Sequence, residues 1–110
     1  MKKAALARVD LERVVGRGAA RAAVVEMYLK DGRQFTLLAA TPQWFAAEAA
    51  RLGLSCYFGP AVLFLDKIDP ATAKRAAKDL LAGDEQVLVR YDTPRRDLVE
   101  VLASFRATHP

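Results

Sequence analysis

The chain has 110 residues, a formal net charge of +4 and a single cysteine, Cys56. That length fits one domain, and such a domain buries roughly two-thirds of the surface its unfolded chain exposes, so one core suffices. A lone cysteine excludes an intramolecular disulfide and a zinc site built on several thiolates. No run reaches the ~18 apolar residues of a membrane span. After Lys2-Lys3 the chain briefly resembles a signal peptide, but Arg8 and Asp10 cut the apolar stretch short. The expectation is a cytoplasmic protein that needs no cofactor.

The charge is unevenly placed. Residues 1–21 hold Lys2, Lys3, Arg8, Arg13, Arg17 and Arg21 against Asp10 and Glu12. The remaining 89 residues carry eleven basic and eleven acidic groups. Any pull on nucleic acid must therefore come from the N-terminal segment.

Residues 1–22 read as a basic N-terminal segment, and 10–22 can be drawn as a helix. Leu11, Val14, Val15, Gly18, Ala19 and Ala22 then share one face, with Arg13, Arg17 and Arg21 as a ladder on the other. Gly16 and Gly18 weaken such a helix by about 1 kcal/mol each relative to Ala. Residues 23–106 read as a single α+β domain, with 107–110 as a frayed terminus.

Residues 23–39 carry a hairpin signal, two apolar runs around Lys30-Asp31-Gly32-Arg33. A two-residue loop would mix the faces. A three-residue loop, Lys30-Asp31-Gly32 with a left-handed Gly32, sets Met27 opposite Phe35 and Val25 opposite Leu37. Glu26 then faces Thr36, and Tyr28 faces Gln34. Thr41-Pro42 opens a helix that Gly53 closes, with Phe45, Ala49 and Leu52 along one side and Trp44 beside them. The most apolar stretch, 54–66, is broken at Gly59-Pro60 and predicts a second hairpin in the middle of the sheet, Leu54–Phe58 against Ala61–Leu65.

Asp69-Pro70 repeats the cap-then-proline device, and Gly83 ends that helix. Ala73, Ala76, Ala77, Leu80 and Leu81 form its inner face, with Lys74, Arg75 and Lys78 outward. Gln86–Tyr91 reads as a fifth strand. Thr93-Pro94 opens a last helix with Leu98, Val101, Leu102 and Phe105 inward. The predicted order is (α)ββαββαβα, a two-layer sandwich of about five mostly antiparallel strands with helices on one face. The stretch 33–91 alone has the ferredoxin-like order βαββαβ.

Candidate chemistry is sparse. His109, the only histidine, sits next to the end of the sequence, which leaves no Ser–His or Cys–His pair in a fixed frame. Cys56 alternates with Leu54 and Phe58 and reads as a small buried hydrophobe. Gly16-Arg17-Gly18-Ala19-Ala20-Arg21 begins like a dinucleotide-binding turn but has Arg where the third small residue belongs. Asp66, Asp69, Asp84 and Glu85 lie near element ends, where Asp69 is a helix cap and Asp84-Glu85 a turn, so a carboxylate-based enzyme is the least favoured reading.

The leading expectation is a small interaction or regulatory module without catalytic machinery, of a size that suits an immunity- or antitoxin-like inhibitor. Its contact would be an open sheet face carrying Tyr28, Tyr57, Leu38, Val62 and Phe64, or an edge strand at 24–38, binding a protein partner or a second copy. The alternative is weak nucleic-acid binding through Lys2, Lys3, Arg8, Arg13, Arg17 and Arg21. About four effective phosphate contacts would give a salt slope near −3.6. No metal site is expected.

Overall fold

The hairpin expected over residues 23–39 has the predicted register. In the computed structural model, which describes residues 5–55, 61–83, 85–92 and 99–102, β2 (Ala20–Leu29) pairs antiparallel with β3 (Gln34–Ala40). Met27 lies opposite Phe35, Val25 opposite Leu37, Glu26 opposite Thr36 and Tyr28 opposite Gln34. The Leu29 amide donates to the Arg33 carbonyl at 2.9 Å, which closes a three-residue loop. Gly32 has φ +94°, the left-handed conformation that a bulged hairpin loop demands. The Asp31 carboxylate accepts from the Arg33 amide at 3.0 Å and from its Nε at 2.9 Å.

The basic segment is a strand, not a helix. β1 (Leu6–Arg17) pairs antiparallel with β2 along its length and extends the same sheet. Two register shifts explain the misreading. One falls between Leu6 and Arg8, the other between Glu12 and Val15, where Arg13 and Val14 stand against Ala23 alone. Arg13 has φ 51°, as the extra residue of a bulge. Each bulge inverts the alternation, so Leu6, Val9 and Leu11 meet one face of the sheet and Val15 the other. That irregular spacing imitates a helical stripe. Gly16-Arg17 end β1 and Gly18-Ala19 make the tight turn into β2, rather than the entry to a nucleotide-binding helix. A Cβ on Gly16 would stand 2.1 Å from the Ala20 carbonyl oxygen.

The stretch after Gly53 differs from expectation in place and direction. β4 (Val62–Phe64) runs parallel to β3, with Leu38 opposite Val62 and Ala40 opposite Phe64. Among the described residues the sheet order is β1-β2-β3-β4, so there β4 is an edge rather than the middle, and 24–38 is interior rather than an edge. The connection is α1 (Pro42–Arg51), a crossover of the kind that parallel neighbours require. Leu54 and Ser55 lie outside any strand, and the rest of the predicted partner strand, with Cys56, Tyr57 and Phe58, falls outside the described residues.

Both helix caps are as predicted. Thr41 precedes Pro42, and its Oγ1 accepts from the Trp44 amide at 3.3 Å. That oxygen also accepts from the Arg21 amide at 3.1 Å, and the Thr41 amide donates to the Arg21 carbonyl at 2.8 Å, so one residue starts α1 and ties it to β2. Asp69 caps α2 (Pro70–Ala82), accepting from the Thr72 amide at 2.7 Å, with Gly83 at its end. Ala73 and Ala77 are buried, Ala76, Leu80 and Leu81 pack beside them, and Lys74, Arg75 and Lys78 are exposed.

Gln86–Tyr91 is not a fifth strand. It lies within α3 (Glu85–Tyr91), with Leu88 fully buried and Val89 exposed. A short apolar run does not distinguish a strand from a buried helical turn. Asp92 instead touches the edge of β3. It forms an isolated bridge with Leu37, and its Oδ1 accepts from the Thr36 amide at 2.9 Å. Residues 99–102 are helical, with Val101 and Leu102 buried. The predicted cap at Thr93-Pro94, with Leu98 and Phe105, lies outside the described residues.

The fold is therefore α+β with a mixed four-stranded sheet among the described residues, and 33–91 follows β-α-β-α-α rather than the ferredoxin-like order. Helices cover both faces, not one. Ala23, Val25, Met27, Leu29, Phe35, Leu37 and Ala39 pack under α2 and α3. Ala22, Val24, Leu38 and Ala40 pack under Trp44 of α1 and under Val101 and Leu102.

Candidate functional site

The second helical layer removes most of the expected open face. Leu38 is fully buried, and Val62 is half-buried against the α1 side. Among the described residues no helix covers the polar end of that face. There Gln34 Nε2 and Thr36 Oγ1 each donate to Glu26 Oε2 at 2.9 Å. The Arg8 guanidinium lies 4.3 Å from the Tyr28 ring centroid, and its Nε is 3.0 Å from Asp10. These groups satisfy one another, and Tyr28 is half-buried beneath Arg8 rather than presented as an aromatic platform.

Phe64 has the opposite character. At 51 % exposure it is the largest exposed apolar side chain of the described sheet. It stands on β4, and its ring meets Phe45 of α1 edge-on at 5.4 Å. Such a pair is worth about 0.5–1.5 kcal/mol and holds the exposed ring in one orientation. Among the described residues no strand pairs with the outer side of β4.

A groove of about 390 Å³ opens beside this edge, between β4 and α2. Its apolar lining comes from Leu63, Phe64, Leu65, Ala76 and Leu80, and its polar lining from Asp66, Thr72, Arg75 and Asp79. Alternation explains the arrangement. Phe64 points to the α1 side, while Leu63 and Leu65 turn toward α2, where the spacing of Thr72, Ala76 and Leu80 gives one helix face. The edge offers main-chain hydrogen-bonding groups, an aromatic side chain and an apolar slot with a charged rim. These are elements of recognition. Among the described residues no group of three or more His, Cys, Asp and Glu could hold a metal ion.

The sequence-predicted residues are not brought together. Val62 and Phe64 share β4, whereas Tyr28 lies two strands away at the other end of the sheet. Tyr57 is outside the described residues. Of the groove residues on α2, the sequence marks Ala76 and Leu80 as core and Arg75 as a solvated charge. No pattern along the chain states which strand edge a helix will flank.

The basic residues do not form a ladder either. Arg8 pairs with Asp10, and Arg13 lies 3.8 Å from Glu100 in the last described helical segment. Arg17 stands opposite Ala20 and Arg21 opposite Gly16, adjacent positions whose side chains leave the hairpin on opposite faces. Arg8 and Arg17 are nine residues apart, roughly 30 Å of strand and well beyond a Debye length of about 8–10 Å. Lys2 and Lys3 lie outside the described residues. No helix among the described residues is long and apolar enough to cross a membrane. Comparison with protein-family models, with curated proteins and with solved structures finds no match to this chain.

Proposed function

We propose that this chain is a protein-interaction module that captures an extended segment of a partner along the outer side of β4. The supporting observation is the exposed Phe64, held against Phe45 beside an apolar groove, on a strand with no outer neighbour among the described residues. Strand addition gives affinity through main-chain hydrogen bonds and specificity through pockets for alternate side chains. Phe64 and Val62 would meet the bound segment on the α1 side, and the groove at Leu63, Leu65 and Leu80 would take its side chains on the α2 side. Such a module regulates by occupying its partner, with no chemical step of its own.

Selection of a displayed random peptide library on the full-length protein tests this. The expected winners are extended peptides that protect the Val62–Leu65 amides from hydrogen exchange. Phe64→Asp should weaken them about tenfold or more, equivalent to ~1.4 kcal/mol or more. Because Phe64 is exposed, the melting temperature should hardly move. Failure to select any peptide, or peptides that bind Phe64→Asp equally well, overturns the reading.

A further inference from the structure

The opposite edge of the sheet has a different chemistry. β1 is 12 residues long, roughly 40 Å of strand, and among the described residues nothing pairs with its outer side. Edge strands of that length are usually covered, because they template pairing with other chains. Between its two bulges β1 runs Arg8-Val9-Asp10-Leu11-Glu12, a strict alternation. Val9 and Leu11 pack on the α2 side. Arg8 and Asp10, opposite Tyr28 and Glu26, project onto the polar end of the other face, which no described helix covers, and Glu12, opposite Val24, stands at the border of its buried half.

Antiparallel pairing keeps like faces together, so only registers that join positions of the same parity preserve this division. A two-fold axis at Leu11 would set Asp10 against Glu12, and one at Asp10 would set Arg8 against Glu12 but two aspartates face to face at the axis. A two-fold axis at Val9 sets Arg8 against Asp10 of a second copy and Asp10 against its Arg8. Opposed side chains in such a ladder stand about 4.5–5.5 Å apart at Cβ. Each arginine would then lie between two carboxylates, its own at 3.0 Å and the one across the axis. The four charges alternate in sign around the axis.

We infer that β1 is a self-association edge, pairing antiparallel with β1 of a second copy about a two-fold axis at Val9. The contact is isologous, so it closes at a dimer and does not propagate. It joins two four-stranded sheets into one and leaves β4 at both outer ends. It therefore stands independently of the peptide-capture reading.

Sedimentation velocity over a wide concentration range, with the full-length chain, tests the inference. The wild-type protein should show a monomer–dimer equilibrium that weakens with salt. Arg8→Asp should shift the dimer dissociation constant upward at least tenfold, and the swap Arg8→Asp with Asp10→Arg should restore it. Both variants lose the Arg8–Tyr28 stacking, so recovery in the swap reports charge pairing alone. Circular dichroism melts confirm that each variant is folded. A wild-type chain that is monomeric throughout, an unaffected Arg8→Asp dimer, or a folded swap that stays monomeric would each overturn the assignment. Peptide capture at Phe64 should be unchanged in all of them.

Discussion

The two faces of the sheet are buried to different extents. Under α2 and α3 the apolar surface runs the whole length of β2 and β3, from Ala23 to Leu29 and from Phe35 to Ala39. On the opposite face it stops halfway. Ala22, Val24, Leu38 and Ala40 lie beneath α1 and the last described helical segment, and beyond them Glu26, Tyr28, Gln34 and Thr36 make a polar surface. Among the described residues the first cluster holds eight large buried apolar side chains and the second five. At about 1.5–3 kcal/mol each, the first face contributes more than the second among the described residues. The second keeps a polar end that no described helix covers, beside Arg8 and Asp10 of β1.

The largest test of that difference uses two neighbouring leucines. Leu37 and Leu38 are both fully buried but point to opposite faces. If both faces are core at this end, each Leu→Ala change should cost about 2–5 kcal/mol in urea unfolding. Thr36→Ala, at the polar end, should cost about 1 kcal/mol or less, because its hydroxyl only donates to a part-exposed Glu26. A Leu38→Ala cost as small as that of Thr36→Ala would mean the second layer contributes no core.

The difference was written in the chain, though not as a period. β2 reads Ala22-Ala23-Val24-Val25 and then alternates through Glu26, Met27, Tyr28 and Leu29. β3 alternates from Gln34 to Leu37 and then runs Leu37-Leu38-Ala39-Ala40. Consecutive apolar residues mark burial on both faces, and alternation marks burial on one. Paired antiparallel, the two runs coincide at one end of the hairpin. Alternation alone assigns Leu38 to an open face and misses the second layer. The hairpin register and the caps at Thr41 and Asp69 were legible because they depend on residues a few positions apart.

β1 was half legible. Arg8 to Glu12 alternates cleanly, but the bulges at its ends shift the phase and leave apolar positions that also satisfy a helical stripe. The direction of β4 was not legible, since an apolar stretch does not say whether its partner lies next to it in sequence or across a helix. The candidate site divides the same way. Phe64 and Val62 were visible as apolar residues of a strand, whereas the groove depends on α2 flanking that strand, which only tertiary packing decides.

The next largest effect concerns how the second layer is fastened. The Thr41 hydroxyl is the buried oxygen that joins the start of α1 to β2. Thr41→Val keeps the shape but strands the amides of Arg21 and Trp44. The expected loss is about 1–3 kcal/mol, measurable by urea unfolding. Thr41→Ser, which retains the oxygen, should recover most of it. A serine variant as unstable as valine would place the role of Thr41 in its methyl group instead.

The smallest effect separates the two layers by pH. α1 and α2 use the same cap-then-proline device, but one cap is a hydroxyl and the other a carboxylate. The Thr72 amide, hydrogen-bonded to Asp69, holds that carboxyl below its ordinary value. Its folded pKa is therefore below the unfolded one, and in that range the unfolded chain binds more protons. The stabilisation is complete above the unfolded value of about 3.9 and fades as pH falls through the folded one. Acid should thus loosen the first turn of α2 and leave that of α1 unchanged. An amide NMR titration reads this directly: the Thr72 resonance should move with a midpoint below the ordinary aspartate range, and Trp44 should not. If the two moved together with one midpoint, the sheet's helical layers would be giving way as a unit rather than through their caps.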